Sequence, residues 1–408
     1  MELNAGGHGV AHRVVSVDVL RGIATIWMLA AHSHGIWEVP AAFEWIKVPG
    51  NLAPTLFLAV VGMSVALAST GQRLGSKAVK AQLWRVIVIF LVAGVGLHLL
   101  TDTSVPTALG VFDGIALSLL ILVACISTPR PAFACGLTAV ALYSAHLLLG
   151  PLTSGPALEK AGVTYGLALA ILRQDAGFPV LAWAPFALAG YLCARWLWLG
   201  GSGVVKPALS ARKRIELGAI SCTALAACLG LWVATTAPDK WTTNPSYFAL
   251  GIGWIAVNTL VADQVTRMGF DKAIVVLTTL GNWSLVLLGV NWFLFQSLPT
   301  VLGVTQPESL VLSIASMIVG VVSGIAIAWG MQHADWWIRG LDGAVRTLAL
   351  AALMSAIVGI VLLLGGHKSG VWYLTGLILS LLSPYALRPS VSAHSGQSRS
   401  PIPREVNQ

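Results

Sequence analysis

Apolar residues fall into long runs along this chain, each about the length a helix needs to cross hydrocarbon, with short polar stretches between them. The runs predict spans at 15–34, 52–70, 84–101, 110–127, 132–150, 179–196, 215–235, 246–264, 275–298, 309–331, 347–365 and 370–387. The fold class this predicts is all-α, a polytopic integral membrane protein of about 12 transmembrane helices. Residues 1–387 form a single domain on this reading, with no sequence repeat inside it. Residues 388–408, rich in Ser, Pro, Arg and Gln, predict a disordered tail.

Composition agrees with the pattern. Only 10% of the 408 residues are charged and 56% are hydrophobic; mean hydropathy is +0.81. A soluble protein of this length needs far more charge to cover its surface. Several of the 16 Trp residues (Trp84, Trp196, Trp198, Trp241, Trp336, Trp337) stand at run ends, which suits an interfacial aromatic belt.

The net charge of +8 matters less than where it sits. With the N-terminus inside, only Lys47, Lys160, Arg173, Lys240 and Lys368 of the 24 Lys and Arg fall outside, and Arg21 lies within the first span. The remaining eighteen are inside, so both termini are expected in the cytoplasm, in a multi-pass protein of the cell membrane. This asymmetry accounts for the basic pI without a nucleic-acid partner. The first run carries Asp18 and Arg21 and has no small-residue cleavage site, so it is expected to stay as the first helix. Cys125, Cys135, Cys193, Cys222 and Cys228 lie within apolar runs without a CxxC, and read as small core residues with no metal or disulfide role. Residues 199–214 combine Gly-Gly-Ser-Gly at 200–203 with Arg212-Lys213-Arg214, and predict a flexible connector. Two long outer loops, 35–51 and 151–178, are places where an acceptor site forms most readily.

The first run holds the densest chemistry. At 100° per residue Asp18, Arg21, Thr25, Met28 and His32 share one stripe, with Arg21 and His32 roughly 16 Å apart along the axis. Ionisable groups at this depth are costly in lipid, so the stripe has to face protein or water. Asp18 and Arg21 read as an i,i+3 pair that locks the helix to its neighbours. An arginine that holds phosphate or carbonyl oxygens, and a histidine able to act as base or nucleophile, are what a buried acyl-transfer site needs. His34 faces about 200° away from His32.

This run resembles the Arg-x10-His motif of the transmembrane acyltransferases of family 3. More closely, Ser16-Val-Asp-Val-Leu-Arg-Gly-Ile resembles the opening of heparan-α-glucosaminide N-acetyltransferase-like catalytic domains. Further pieces are similar to that group, in order: Ala53-Pro-Thr-Leu-Phe-Leu-Ala-Val-Val-Gly-Met-Ser, Leu109-Gly-Val-Phe-Asp-Gly-Ile-Ala-Leu-Ser, Phe178-Pro-Val-Leu-Ala-Trp, Asn244-Pro-Ser-Tyr-Phe and Leu280-Gly-Asn-Trp-Ser-Leu. The resemblance covers about 13–298. It implies that acyl-CoA, acetyl-CoA foremost, is admitted from the cytoplasm and its acyl group delivered to an acceptor on the other face. His32 is then the catalytic histidine and Arg21 the donor-binding residue. Asp113 stands where the family has a polar residue before Gly-Ile. Where relatives continue the ninth span with a Tyr and then a His, this chain has Leu288 and Asn291, so Asn291 joins the site candidates by position.

The residues themselves leave some roles open. Asp113 either orients His32 or caps a helix start. Asn244-Pro-Ser-Tyr either begins a helix or lines a cavity lip. Asn258 and Asn291 both suit hydrogen bonding between helices. His98 and His146 read as hydrated residues near outer helix ends. The function that follows is transfer of an acyl group, acetyl foremost, from acyl-CoA to a hydroxyl or amine of an extracytoplasmic sugar or glycolipid, within membrane lipid and without a metal. Two rival classes stand beside it. One is a secondary transporter of a small solute, which twelve spans also suit; the other is a catalytically silent relative.

Overall fold

The computed structural model describes residues 14–33, 39–70, 80–81, 83–88, 90–91, 111–153, 179–199, 205–206, 208–240, 242–284, 287 and 309–339. Among these every regular element is a helix. They are α1 (Val15–Ser33), a 3₁₀ turn (Ala41–Lys47), α2 (Val48–Asn51), α3 (Ala53–Thr70), α4 (Val111–Ile126) and α5 (Pro131–Thr153). Then come α6 (Val180–Ala194) with a π turn (Arg195–Leu199), α7 (Ala211–Ala234), α8 (Pro245–Arg267), α9 (Asp271–Asn282) and α10 (Leu310–Arg339). Seven helical segments among the described residues are long and apolar enough to cross a membrane, and α4 is a shorter apolar helix. The expected spans 347–365 and 370–387, and the tail 388–408, lie outside the described residues.

Two helices organise the packing. α1 touches α2, α3, α8, α9 and α10, while α6 lies against α3, α4 and α5. α6 is buried along most of its length, with Trp183, Phe186, Leu188 and Tyr191 out of solvent. Its contact with α3 is set by a reciprocal glycine pair. A Cβ on Gly62 would overlap the Ala187 carbonyl oxygen, and one on Gly190 would overlap that of Ala59. Helices in lipid gain nothing from hiding apolar surface, so backbone approach of this kind supplies their cohesion. On the outside, Leu148, Ile215 and Val233 of α5 and α7 are more than 70% exposed, an arrangement that suits hydrocarbon rather than water.

Topology separates two ends. His32, α2, the start of α8 and the last turns of α5 gather at one; Asp18, Arg21, Arg195, Leu209 and Arg267 gather at the other. The connector expected to be flexible is tied down over its described part. Lys206 N–H donates to the Trp198 carbonyl at 2.7 Å, and Leu209, itself buried, donates its N–H to Asp263 Oδ1 at 3.2 Å. The same doubling back places Trp198 in the core, 0% exposed, instead of in an interfacial belt. Trp196 does sit at the edge, with Lys213 Nζ 4.0 Å above its ring.

Candidate functional site

α1 begins at the Val17 N–H to Val14 carbonyl bond of 3.0 Å and runs nineteen residues without proline. Its apolar face buries Val19, Leu20, Ala24 and Leu29 completely. Asp18 falls in the first turn, where a carboxylate complements the positive helix end. The polar stripe predicted from spacing is therefore a stripe of the observed helix. A Cβ on Gly22 would overlap the Leu277 carbonyl oxygen, and one on Gly281 would lie 3.0 Å from the Asp18 carbonyl oxygen. These two glycines press α9 against α1 beside Asp18 and Arg21.

Arg21 is held from two sides. Its Nη1 lies 3.3 Å from Asp18 Oδ1, and its Nη2 donates to Ser64 Oγ on α3 at 2.8 Å. Ser64 donates its own hydrogen to the Val60 carbonyl at 2.8 Å, which leaves its lone pairs for the guanidinium. Thr25, next on the stripe, is fully buried and donates to the Arg21 carbonyl at 2.9 Å. Met28 continues the stripe, 6% exposed. His32 ends it, half-buried in the last turn, with Nδ1 out of solvent reach. Nothing in the sequence alone singles out Ser64. A hydroxyl in the middle of an apolar span is the signal the sequence offers, but only the α1–α3 contact shows what it binds.

Asp113 is 4% exposed in the first turn of α4, at the same end of the bundle as His32. α4 packs chiefly on α5 and α6, not on α1. Asn291, His34 and His98 lie outside the described residues. Of the site residues expected from the sequence, α1 thus carries Arg21 and His32 on one face, and Asp113 is contributed from a separate helix.

The start of α8 is dense in hydrogen bonds. Asn244 is its N-cap: Oδ1 accepts from Tyr247 N–H at 2.9 Å and Asp239 N–H at 3.3 Å. Its Nδ2 donates to Thr236 Oγ1 at 2.9 Å and the Ala237 carbonyl at 2.7 Å. Asn-Pro-Ser-Tyr therefore begins a helix, with Pro245 in the first turn. His146, expected to be hydrated, is instead fully buried, with Nε2 donating to the Thr242 carbonyl at 2.9 Å. Asn258 does bond between helices, accepting from Trp27 Nε1 of α1 at 3.4 Å, beside a Trp27–Trp254 ring contact of 5.5 Å.

The arrangement offers a fixed cation at one end of a helix and an imidazole roughly 16 Å further along the same face. Comparison with known proteins places that face in a context. The family model described as heparan-alpha-glucosaminide N-acetyltransferase, catalytic, matches residues 13–221. That stretch contains α1 to α6, including Arg21, His32, Ser64 and Asp113. No curated protein matches the chain.

Proposed function

The chain belongs to the heparan-alpha-glucosaminide N-acetyltransferase catalytic family, and from that premise we propose that it transfers an acetyl group from cytoplasmic acetyl-CoA to an extracytoplasmic acceptor. Membership implies an acetyltransferase embedded in a membrane. The finer reading is a multi-pass enzyme of the cell membrane with both termini cytoplasmic, 1–387 acting as one unit. Its acceptor is a sugar or glycolipid bearing a hydroxyl or amine.

The observation that carries this reading is the polar face of α1. Arg21, steadied by Asp18 and Ser64, presents a planar cation suited to the carbonyl or phosphate oxygens of the donor. His32 stands at the other end of that face. In the reaction the acceptor oxygen or nitrogen attacks the thioester carbonyl, its proton passes to the imidazole, the C–S bond breaks to expel CoA thiolate, and the imidazolium returns the proton to it to give the thiol and neutral His32. His32 acts as the base while both substrates are bound. That step requires the imidazole to be neutral.

The test is transfer from radiolabelled acetyl-CoA by wild type, His32→Ala and His34→Ala, each purified and checked for folding. His32→Ala is expected to lose transfer while keeping binding of a CoA analogue, and His34→Ala to lose far less. Substantial transfer by the His32 variant ends the proposal. A labelled acyl-enzyme that chases into product replaces the base role with an acyl-histidine intermediate.

A further inference from the structure

Tyr247 lies far from α1 in sequence and belongs to none of the roles above, yet the structure links it to the His32 end of that helix. Its side chain is 2% exposed, and its hydroxyl donates to the Asn51 carbonyl at 2.8 Å. Asn51 closes α2, a single turn of four residues. One turn has no stability of its own, so its position is dictated by what it touches. Beside the 3₁₀ turn and α3 that flank it in the chain, it packs on α1: Gly50 is buried, and a Cβ there would lie 2.6 Å from the Ala31 Cβ and 3.0 Å from the Ala31 Cα. Ala31 is the residue before His32.

The other end of this chain of contacts is anchored. Besides the bonds of the Asn244 side chain, the carbonyls of Thr242 and Thr243 accept from His146 Nε2 at 2.9 Å and Tyr143 hydroxyl at 3.2 Å, both on α5. Tyr143 also stacks on Phe248, with centroids 3.9 Å apart. Thr243 is fully buried at φ 46°, a left-handed backbone that a β-branched residue adopts only when its surroundings impose it. Burial brings the neighbouring Lys240 ammonium down to about 8, the mark of a poorly hydrated corner. Such a corner needs side-chain donors for its carbonyls and has little freedom to move.

We propose that Tyr247 is a positioning residue for His32, acting from this rigid corner through Asn51, Gly50 and Ala31. Mid-helix, the Trp27–Asn258 bond and the Trp27–Trp254 contact already fix α1 against α8. The Tyr247–Asn51 bond extends that grip to the last turn, where the imidazole sits. This rests on the assignment of His32 as the base.

Tyr247→Phe removes one hydroxyl and keeps the ring, and Gly50→Ala acts at the other end of the link. Both are compared with wild type for transfer kinetics and for the rate at which diethyl pyrocarbonate modifies His32. That rate is read by peptide mass spectrometry in a His34→Gln background, with His333 as internal reference. For Tyr247→Phe the expected result is kcat down on the order of tenfold at unchanged acetyl-CoA KM, since small misplacements of a catalytic group cost rate rather than binding. The His32 modification rate should move severalfold while that of His333 holds, and Gly50→Ala should move it too. An unchanged His32 rate overturns the proposal whether or not kcat falls, as does a fall in kcat matched by loss of folded protein. If wild type itself transfers no acetyl group, the functional assignment fails, and the modification rates still decide whether Tyr247 positions the ring.

Discussion

At the scale of single residues, Ser64 is the most informative addition to the site. Its hydrogen is committed to the Val60 carbonyl and its lone pairs meet Arg21 Nη2, both at 2.8 Å. Hydrogen bonds to charged groups contribute about 1.5–3 kcal/mol, and 1.4 kcal/mol is a tenfold change in affinity. Ser64→Ala is therefore expected to raise the acetyl-CoA KM by about tenfold or more, with Ser64→Thr closer to wild type. Arg21→Lys should recover only part of what Arg21→Ala loses, because one ammonium cannot reproduce a planar fork. Initial rates with acetyl-CoA varied at saturating acceptor check both. A wild-type donor KM in Ser64→Ala would leave Ser64 a packing partner alone.

At the scale of elements, the two glycine contacts make a sharper statement than helix count. Gly62 and Gly190 each meet backbone of the opposing helix, where no side chain can yield. Gly62→Val and Gly190→Val are expected to destabilise at or above the upper end of the roughly 1–3 kcal/mol that overpacking costs. Gly230 on α7 has nothing within 4 Å of its would-be Cβ, so Gly230→Val should leave stability near wild type. Thermal unfolding of the three purified variants in one detergent checks the contrast. Equal losses in all three would mean that glycine itself, and not the α3–α6 approach, is being measured.

At the scale of the whole molecule, orientation is the testable property. Thr153 closes α5 at the end that holds His146 and the Thr242 carbonyl. Ser210 caps α7 at the opposite end, beside Leu209 and Asp263. Basic residues crowd the second end: Arg195, Lys206, Arg212, Lys213, Arg214 and Arg267. The expectation is that Thr153→Cys reacts with an impermeant thiol reagent in intact cells, and Ser210→Cys only after permeabilisation. Labelling of both from outside would reverse the donor side and with it the role proposed for Arg21.

Much of this protein was legible in its sequence, for a physical reason. A helix that crosses hydrocarbon must satisfy its own backbone and present apolar side chains, so span positions follow from local composition. The predicted runs at 15–34, 52–70, 132–150, 215–235 and 246–264 accordingly match α1, α3, α5, α7 and α8 to within a few residues. The alignment of Arg21 with His32 was equally local, a consequence of helical geometry. What the tertiary structure alone decided are the partners across helices. No local rule pairs Arg21 with Ser64, seats Trp198 in the core, turns His146 from a hydrated residue into a donor to Thr242, or joins Tyr247 to Asn51. Each depends on which helix faces which, and that is set by where glycines let backbones approach and where buried polar groups find one another.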